Sequence, residues 1–370
     1  MKRILFLIHD LGVGGAEKVL VNLVNNMDRT KFDITVMALF GGGVNEQFLK
    51  AEIKFQCCFK NSFPANTKIL KLFSPKFLHK HFIKENYDIE VSYLEGPSAR
   101  IISGCPDKDT KLVSWIHIQQ ETKETAAYSF RSYQEAKDCY DRFDQTICVS
   151  EYVKNDFQKL FELKNPIDVL YNTNETNRIM ELAEEPIDTP ISDEEIKLCV
   201  VGKLVKNKGC DRVLRIQKRF KEDHLNTHIY FLGVGSEEEN MKAYIRENAL
   251  EDSVTLLGYQ TNPYKYVKKF DLFVCASFAE GFSTAATEAL VLGVPVVTVE
   301  VSGMKEMLGA NNEYGIVTEN DENALYEGIR RMITTPGLLA QYAEKANERG
   351  KAFSTEKTVK AVEDMLESLS

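Results

Sequence analysis

The chain has 370 residues, 46 Lys and Arg against 55 Asp and Glu, and a formal net charge of −9, with 44% hydrophobic residues. Its length exceeds one ordinary hydrophobic core and predicts two domains. The acidic balance excludes a general nucleic-acid binder, which needs a basic face to neutralise phosphates.

The first apolar run, "RILFLI", predicts a strand over 3–8 and leads into "GVGGAE" (12–17) and the helical pattern "KVLVNLVNNM". A glycine-rich turn between strand and helix is where nucleotide phosphates sit. The dinucleotide pattern G-x-G-x-x-G is met at Gly12 and Gly14, but Glu17 stands at the third glycine, which counts against a nicotinamide-dependent oxidoreductase. Further strands are predicted over 33–39, 89–94, 111–116, 144–149 and 167–170, and then over 197–202, 228–233, 253–257, 271–276, 295–299 and 315–317. Their alternation with amphipathic helices predicts parallel sheets with crossover helices. The acidic, proline-bearing stretch "EEPIDTPISDEE" (184–195) reads as a linker or surface connection. Domains are expected over 1–180 and 181–353.

Residues 66–84 carry Lys68, Lys71, Lys76, Lys80 and Lys84 among Ile, Leu and Phe, with no acid. Such a segment suits an anionic membrane surface, and it equally suits a lid with its apolar face on the sheet and its lysines in water. The eight cysteines show no C-x-x-C spacing, and several lie in strand patterns such as "TICVS". They read as reduced buried thiols rather than metal ligands or disulfides. No signal peptide or membrane span is read from the sequence, so a cytoplasmic location is expected, possible contact with the inner membrane face included.

The chemistry concentrates in "SFAEGFSTAATEALVLGVPVVTVEVSGMKEML" (277–308). A strand ends, a loop carries Glu280, Gly281 and Phe282, a helix starts near Ser283 or Thr284, and Glu288 lies in its first turns. The free amides and dipole of a helix N-terminus favour an anion such as a diphosphate. Two carboxylates flanking that site can each hold a vicinal diol, which is the layout of a nucleotide-sugar.

This stretch resembles the E-x7-E signature of retaining glycosyltransferases of family 4, which have the two-domain GT-B fold. The wider pattern E-G-F-G-x-x-x-x-E-A-x-x-x-G-x-P-V-V is matched except at Ser283, where the family has a glycine. "VVGKLVKNKGCDRVLRI" (200–216) is similar to the family's G-R-L-x-x-x-K-G segment. The resemblance implies that Lys208 meets the donor diphosphate and that Lys203 replaces an arginine, keeping charge without the bidentate fork. It implies backbone contacts to the base at Tyr259, with loop support from Asn262 and Pro263. Gly233 and Gly235 are expected to serve turn geometry. The "GGAE" loop resembles the first-domain glycine loop, so Gly14 and Gly15 are expected to permit close approach below the donor phosphates. His117 in "LVSWIHIQQ" corresponds to the family's histidine near the transferred sugar, and Asn172 to a hinge-side residue.

The resemblance thus implies two Rossmann-like doubly wound domains facing a central cleft, the C-terminal helix 354–370 returning to the first. The implied reaction is retaining transfer of a hexosyl unit from a nucleoside diphosphate sugar, more often UDP-linked, to a hydroxyl of a glycan or polyprenyl-diphosphate-linked sugar. The expected catalytic residues are Glu280, His117, Lys208 and Lys203. Donor contacts are expected from Gly14, Gly15, Lys203, Lys208, Tyr259, Glu280, Gly281, Phe282, Ser283, Thr284 and Glu288. No metal or separate cofactor is expected. The alternatives are a sugar-nucleotide epimerase or hydrolase on the same fold and a non-catalytic partner subunit.

Overall fold

A computed structural model describes residues 1–120, 122–192 and 194–369. Among these are thirteen strands: β1 Lys2–Ile8, β2 Phe32–Phe40, β3 Lys54–Phe59, β4 Ile89–Ser92, β5 Lys111–Ile116, β6 Gln145–Cys148, β7 Ile167–Val169, β8 Ile196–Val201, β9 Thr227–Leu232, β10 Val254–Gly258, β11 Leu272–Cys275, β12 Val296–Val299 and β13 Ile316–Thr318. They form two sheets, ordered β3-β2-β1-β4-β5-β6-β7 and β10-β9-β8-β11-β12-β13, with parallel pairings. Each sheet runs outward from its first strand in one direction and then reverses to the other side, the doubly wound pattern with the reversal at β1/β4 and at β8/β11. Ligands in such sheets bind beyond the carboxyl ends of the strands at that reversal, and this picks out where to look for a site.

The central strands are apolar on both faces because helices cover both. Ile4 to Ile8 and Leu198, Cys199, Phe231, Leu272 and Val274 are wholly buried. β3 was not expected from the sequence. Its "KFQCCF" has no buried residue, lies at the sheet edge against β2 alone and leaves Cys57 exposed, so neither alternation nor a continuous apolar run marks it.

The chain divides into two compact units, 1–174 with 355–370, and 175–354. The division falls at 174/175 rather than at 180 because Ile179 and Ala183, on and just after the helix Thr176–Leu182, pack with Tyr264 in the second unit. Asn262 fixes that helix, donating from Nδ2 to the Leu182 carbonyl (2.8 Å) and to Glu185 (2.9 Å). The described part of 184–195 is a surface connection inside the second unit, tied by Lys265–Asp188 (2.6 Å) and Lys268–Glu184. The last helix, Thr355–Ser368, belongs to the first unit. Lys2 Nζ donates to the Leu366 carbonyl (3.1 Å), Glu363 accepts from the Asp28 amide (2.6 Å), and Lys31 pairs with Glu367 (2.7 Å).

Candidate active site

In the second unit the chain leaves β8 through Gly202 and Lys203 and makes a tight turn over Lys206–Lys208 before the helix Cys210–Glu222. Gly209 makes this turn possible. Its φ is +63°, and a Cβ there would stand 2.1 Å from the carbonyl oxygen of Ala276, just past β11. The turn is thereby pressed onto the end of β11, and Lys208 Nζ reaches Glu280 Oε1 at 2.5 Å. Ser277 Oγ donates to the same oxygen at 2.6 Å. Glu280 is therefore held from both sides beside the sheet reversal. Lys203 is exposed, and no ion pair engages it among the described residues.

The loop after β11 is pinned from outside this pair. Asn207 accepts from the Phe278 amide (2.8 Å) and donates to the Ala279 carbonyl (3.1 Å). Arg212, almost fully buried, lays its guanidinium over the Phe278 ring at 3.6 Å and bonds Asn320 (2.6 Å). Beyond it, Ser302 Oγ donates to the Gly281 carbonyl (2.8 Å) and Phe282 is buried.

Ser283 is the N-cap of the helix Thr284–Val291. Its φ of −69° demands no glycine, and its hydroxyl accepts from the Ala286 amide (3.3 Å). The departure from the family pattern thus supplies a cap of the preferred type. The amides ahead of Ala286 remain directed outward from the helix start, as in any first turn. One turn on, Glu288 is only 7% exposed and accepts from Tyr264 Oη at 3.0 Å. Tyr259, past the end of β10, is more than half exposed.

The first unit gathers a different set at its own reversal. The loop after β1 is shaped by Asp10, which accepts from the Gly12 amide (2.7 Å) and pairs with His9 (2.6 Å). Asn45 donates from Nδ2 to the Gly12 carbonyl (2.5 Å). Gly14 is extended, and the space a side chain would fill is taken by the Glu17 carboxylate, so Gly14 accommodates Glu17 in the first helical turn. Gly15 opens that helix.

After β4 and β5 come Glu95 and His117. The Glu95 carboxylate accepts from the His117 amide (3.0 Å), yet burial outweighs this bond and pushes its acid up to about 7. The His117 imidazole lies against Tyr93 (4.8 Å between centroids), and its Nε2 has no hydrogen-bond partner among the described residues. Burial pushes its pKa down to about 3, so it is a neutral hydrogen-bonding group, unsuited to act as an acid near neutrality.

The sign of the resulting pH effect follows. Above pH 6.5 the imidazole is neutral folded or unfolded. Between 6.5 and about 3 the unfolded chain takes a proton that the folded chain refuses, so stability falls as pH falls. Urea unfolding at about pH 7.5 and about pH 5 is expected to show a smaller acid loss in His117→Asn than in the parent chain. Equal losses would show that folded His117 protonates normally.

The structure pairs Lys208 with Glu280 and places Ser283, Thr284 and Glu288 along the helix that follows in the second unit, while Gly14, Gly15, Glu95 and His117 lie past strand ends of the first. Sequence reasoning missed Ser277, Tyr264, Arg212, Ser302 and Glu95. Only Glu95, in "YLEGPS", carries a local signal, a carboxylate before a glycine at a strand end.

Residues 13–178 match the family described as Glycosyltransferase Family 4, and 183–349 match Glycosyl transferases group 1. The N-acetylgalactosamine-N,N'-diacetylbacillosaminyl-diphospho-undecaprenol 4-alpha-N-acetylgalactosaminyltransferase of Campylobacter jejuni is 29% identical over 383 residues, covering 100% of both chains. The lipopolysaccharide 1,6-galactosyltransferase of Escherichia coli is 24% identical over 306 residues, 80% of this chain and 79% of that one. Among solved structures, HepE of Anabaena in complex with UDP superposes with a TM-score of 0.77 at 18% identity, covering 100% of each chain. The sucrose-phosphate synthase of Thermosynechococcus elongatus gives 0.77 at 15% identity, covering 100% of this chain and 99% of that one. With both of its Rossmann-like domains matched in this way, the chain belongs to the family 4 glycosyltransferases of the GT-B fold and is a transferase enzyme.

Proposed function

We propose that this enzyme moves a hexosyl unit from a UDP-linked sugar to a hydroxyl of a polyprenyl-diphosphate-linked or lipopolysaccharide sugar, with retention at the anomeric carbon. One observation carries the reading: the Lys208–Glu280 pair beside the N-terminus of the helix Thr284–Val291, with buried Glu288 one turn along it. A diphosphate placed there meets Lys208 and the outward amides of 283–284, with Lys203 within the same loop system. Glu280 then takes hydroxyls of the sugar and Glu288 those of the ribose. The anomeric carbon–phosphate bond breaks, the bond to the acceptor oxygen forms, and the acceptor proton passes to the departing diphosphate. Negative charge grows on that diphosphate, so lysines and amides aimed at it lower the barrier without a protein acid. No metal takes part in this scheme.

The lipid-linked character of the acceptor draws support from the Campylobacter jejuni relative and from the surface of 66–84. There the helices Asn66–Leu70 and Pro75–Phe82 turn Leu70 and Leu78 inward and leave Ile69, Leu72, Phe73 and Phe77 exposed. Arg100 and Arg131 hold the intervening turn rigid through the carbonyls of Leu70, Lys71, Leu72 and Phe73. Exposed Lys68, Lys76 and Lys80 surround these apolar groups, and among the described residues no helix is long and apolar enough to cross a membrane. The arrangement fits a surface resting on anionic headgroups. Replacing Lys68, Lys76 and Lys80 by Gln is expected to abolish co-sedimentation with anionic vesicles, at about 1 kcal/mol per lysine near the surface. Undiminished sedimentation would remove the membrane contact.

The donor is tested by isothermal titration of the full chain with UDP-, GDP-, ADP-, CMP- and TDP-linked sugars. Binding of a UDP-sugar alone supports the reading, and preference for another base corrects it. Release of free sugar from a bound donor at the same rate with and without acceptor would replace transfer by hydrolysis.

A further inference from the structure

Three side chains with different metal-binding atoms meet inside the first unit, away from both strand-end clusters. His79 comes from the helix Pro75–Phe82, Glu90 from β4 and Cys105 from the turn after the helix Pro97–Ile102. All three are buried, at 6%, 2% and 2% exposure. His79 Nε2 lies 2.8 Å from Glu90 Oε2, and the three ligand atoms fall within 4.8 Å of one another. The surrounding backbone is fixed. Arg142 donates to the Ser103 carbonyl (2.5 Å) and to the Cys105 carbonyl (2.8 Å). Gly104 lets the Cys105 turn touch the start of the His79 helix, since a Cβ there would sit 2.1 Å from the Pro75 carbonyl oxygen.

We propose that His79, Glu90 and Cys105 form a binding site for a divalent cation of zinc type, structural in role and separate from sugar transfer. Imidazole, carboxylate and thiolate are ligands that Zn²⁺ accepts together, and a solvent molecule completes four-coordination in sites with three protein ligands. Zn²⁺ is bound by thiolate, carboxylate and neutral imidazole, so its two charges meet two anionic ligands and the loaded site is neutral. A neutral site is the form a buried location tolerates. The ion would bond the base of the lysine- and phenylalanine-bearing helix directly to the sheet. Spacing alone reads Cys105 as an inert thiol, because the three ligands share no sequence motif.

The test uses the full chain, reduced and stripped with chelator, then titrated with Co²⁺ and back-titrated with Zn²⁺. The expected result is one Co²⁺ per chain, a near-ultraviolet thiolate-to-cobalt band with visible d–d bands, and their loss on adding Zn²⁺. Cys105→Ser should lose the thiolate band, Glu90→Gln should weaken binding at least about tenfold, and Cys57→Ser/Cys58→Ser should change neither. Far-ultraviolet circular dichroism verifies that each variant is folded. If Cys105→Ser does not fold, the parent and the Cys57→Ser/Cys58→Ser protein still decide the matter. A band kept by the latter, at one Co²⁺ per chain, supports the site. No cobalt band in the parent, or a band that vanishes with Cys57 and Cys58, overturns it.

Discussion

Glu280→Gln and Lys208→Met are each expected to lower kcat/KM by about 10²–10³-fold, the loss that follows removal of one preorganised charge-stabilising group. The two should do so differently. Without ligand, Lys208 is engaged at 2.5 Å by Glu280, which is fixed in turn by Ser277. Under the proposed function, a diphosphate must draw Lys208 away from that carboxylate, so part of its attraction is offset by the broken pair. In Glu280→Gln the lysine is no longer neutralised, and the donor should bind as well as in the parent or better while kcat falls. In Lys208→Met both donor affinity and kcat should fall. Because the side chains touch, the double variant should lose less than the product of the single losses. Single-turnover rates and calorimetric Kd values for the four proteins separate these cases. A Glu280→Gln enzyme within about threefold of the parent would remove Glu280 from the reaction.

Glu288→Ala is expected to raise the nucleotide Kd by about 10–100-fold, since hydrogen bonds to a charged group contribute about 1.5–3 kcal/mol. Glu288 is buried and oriented by the Tyr264 hydroxyl at 3.0 Å, so its carboxylate is set before any ligand arrives. Tyr264→Phe keeps the ring and removes only that orientation. Its Kd should rise by about threefold to tenfold, less than in Glu288→Ala, because the carboxylate that meets the ribose is kept. The free nucleoside diphosphate should show the same losses as the nucleotide-sugar, because Glu288 is assigned to the ribose. A loss confined to the sugar-bearing ligand would move Glu288 to the sugar side.

Local signals in the chain carried much of this. Strand after strand was marked by short apolar runs, and the loop–helix boundary at Ser283 by composition. β3 escaped because an edge strand with half-exposed residues has no core to record in its pattern. The partners that aim the site were hidden for another reason. Ser277 is an ordinary serine past a strand end and Tyr264 an ordinary tyrosine opening a one-turn helix until tertiary folding sets them against Glu280 and Glu288. Arg212, on the helix after Lys208, finds Phe278 across the fold. Burial supplies what sequence cannot state, namely that His117 stays neutral and that Glu95 titrates near 7.

The return of Thr355–Ser368 to the first unit bears on biosynthesis. During translation residues 1–174 emerge first, yet their unit lacks its closing helix until the ribosome has made all of 175–354. The second unit is one uninterrupted stretch, all of it synthesised before the tail. The nascent first unit meanwhile leaves Lys2, Asp28 and Lys31 without the helix they later bind. Domains usually mature in the order they are synthesised. In this protein the half that begins first is the half that finishes last.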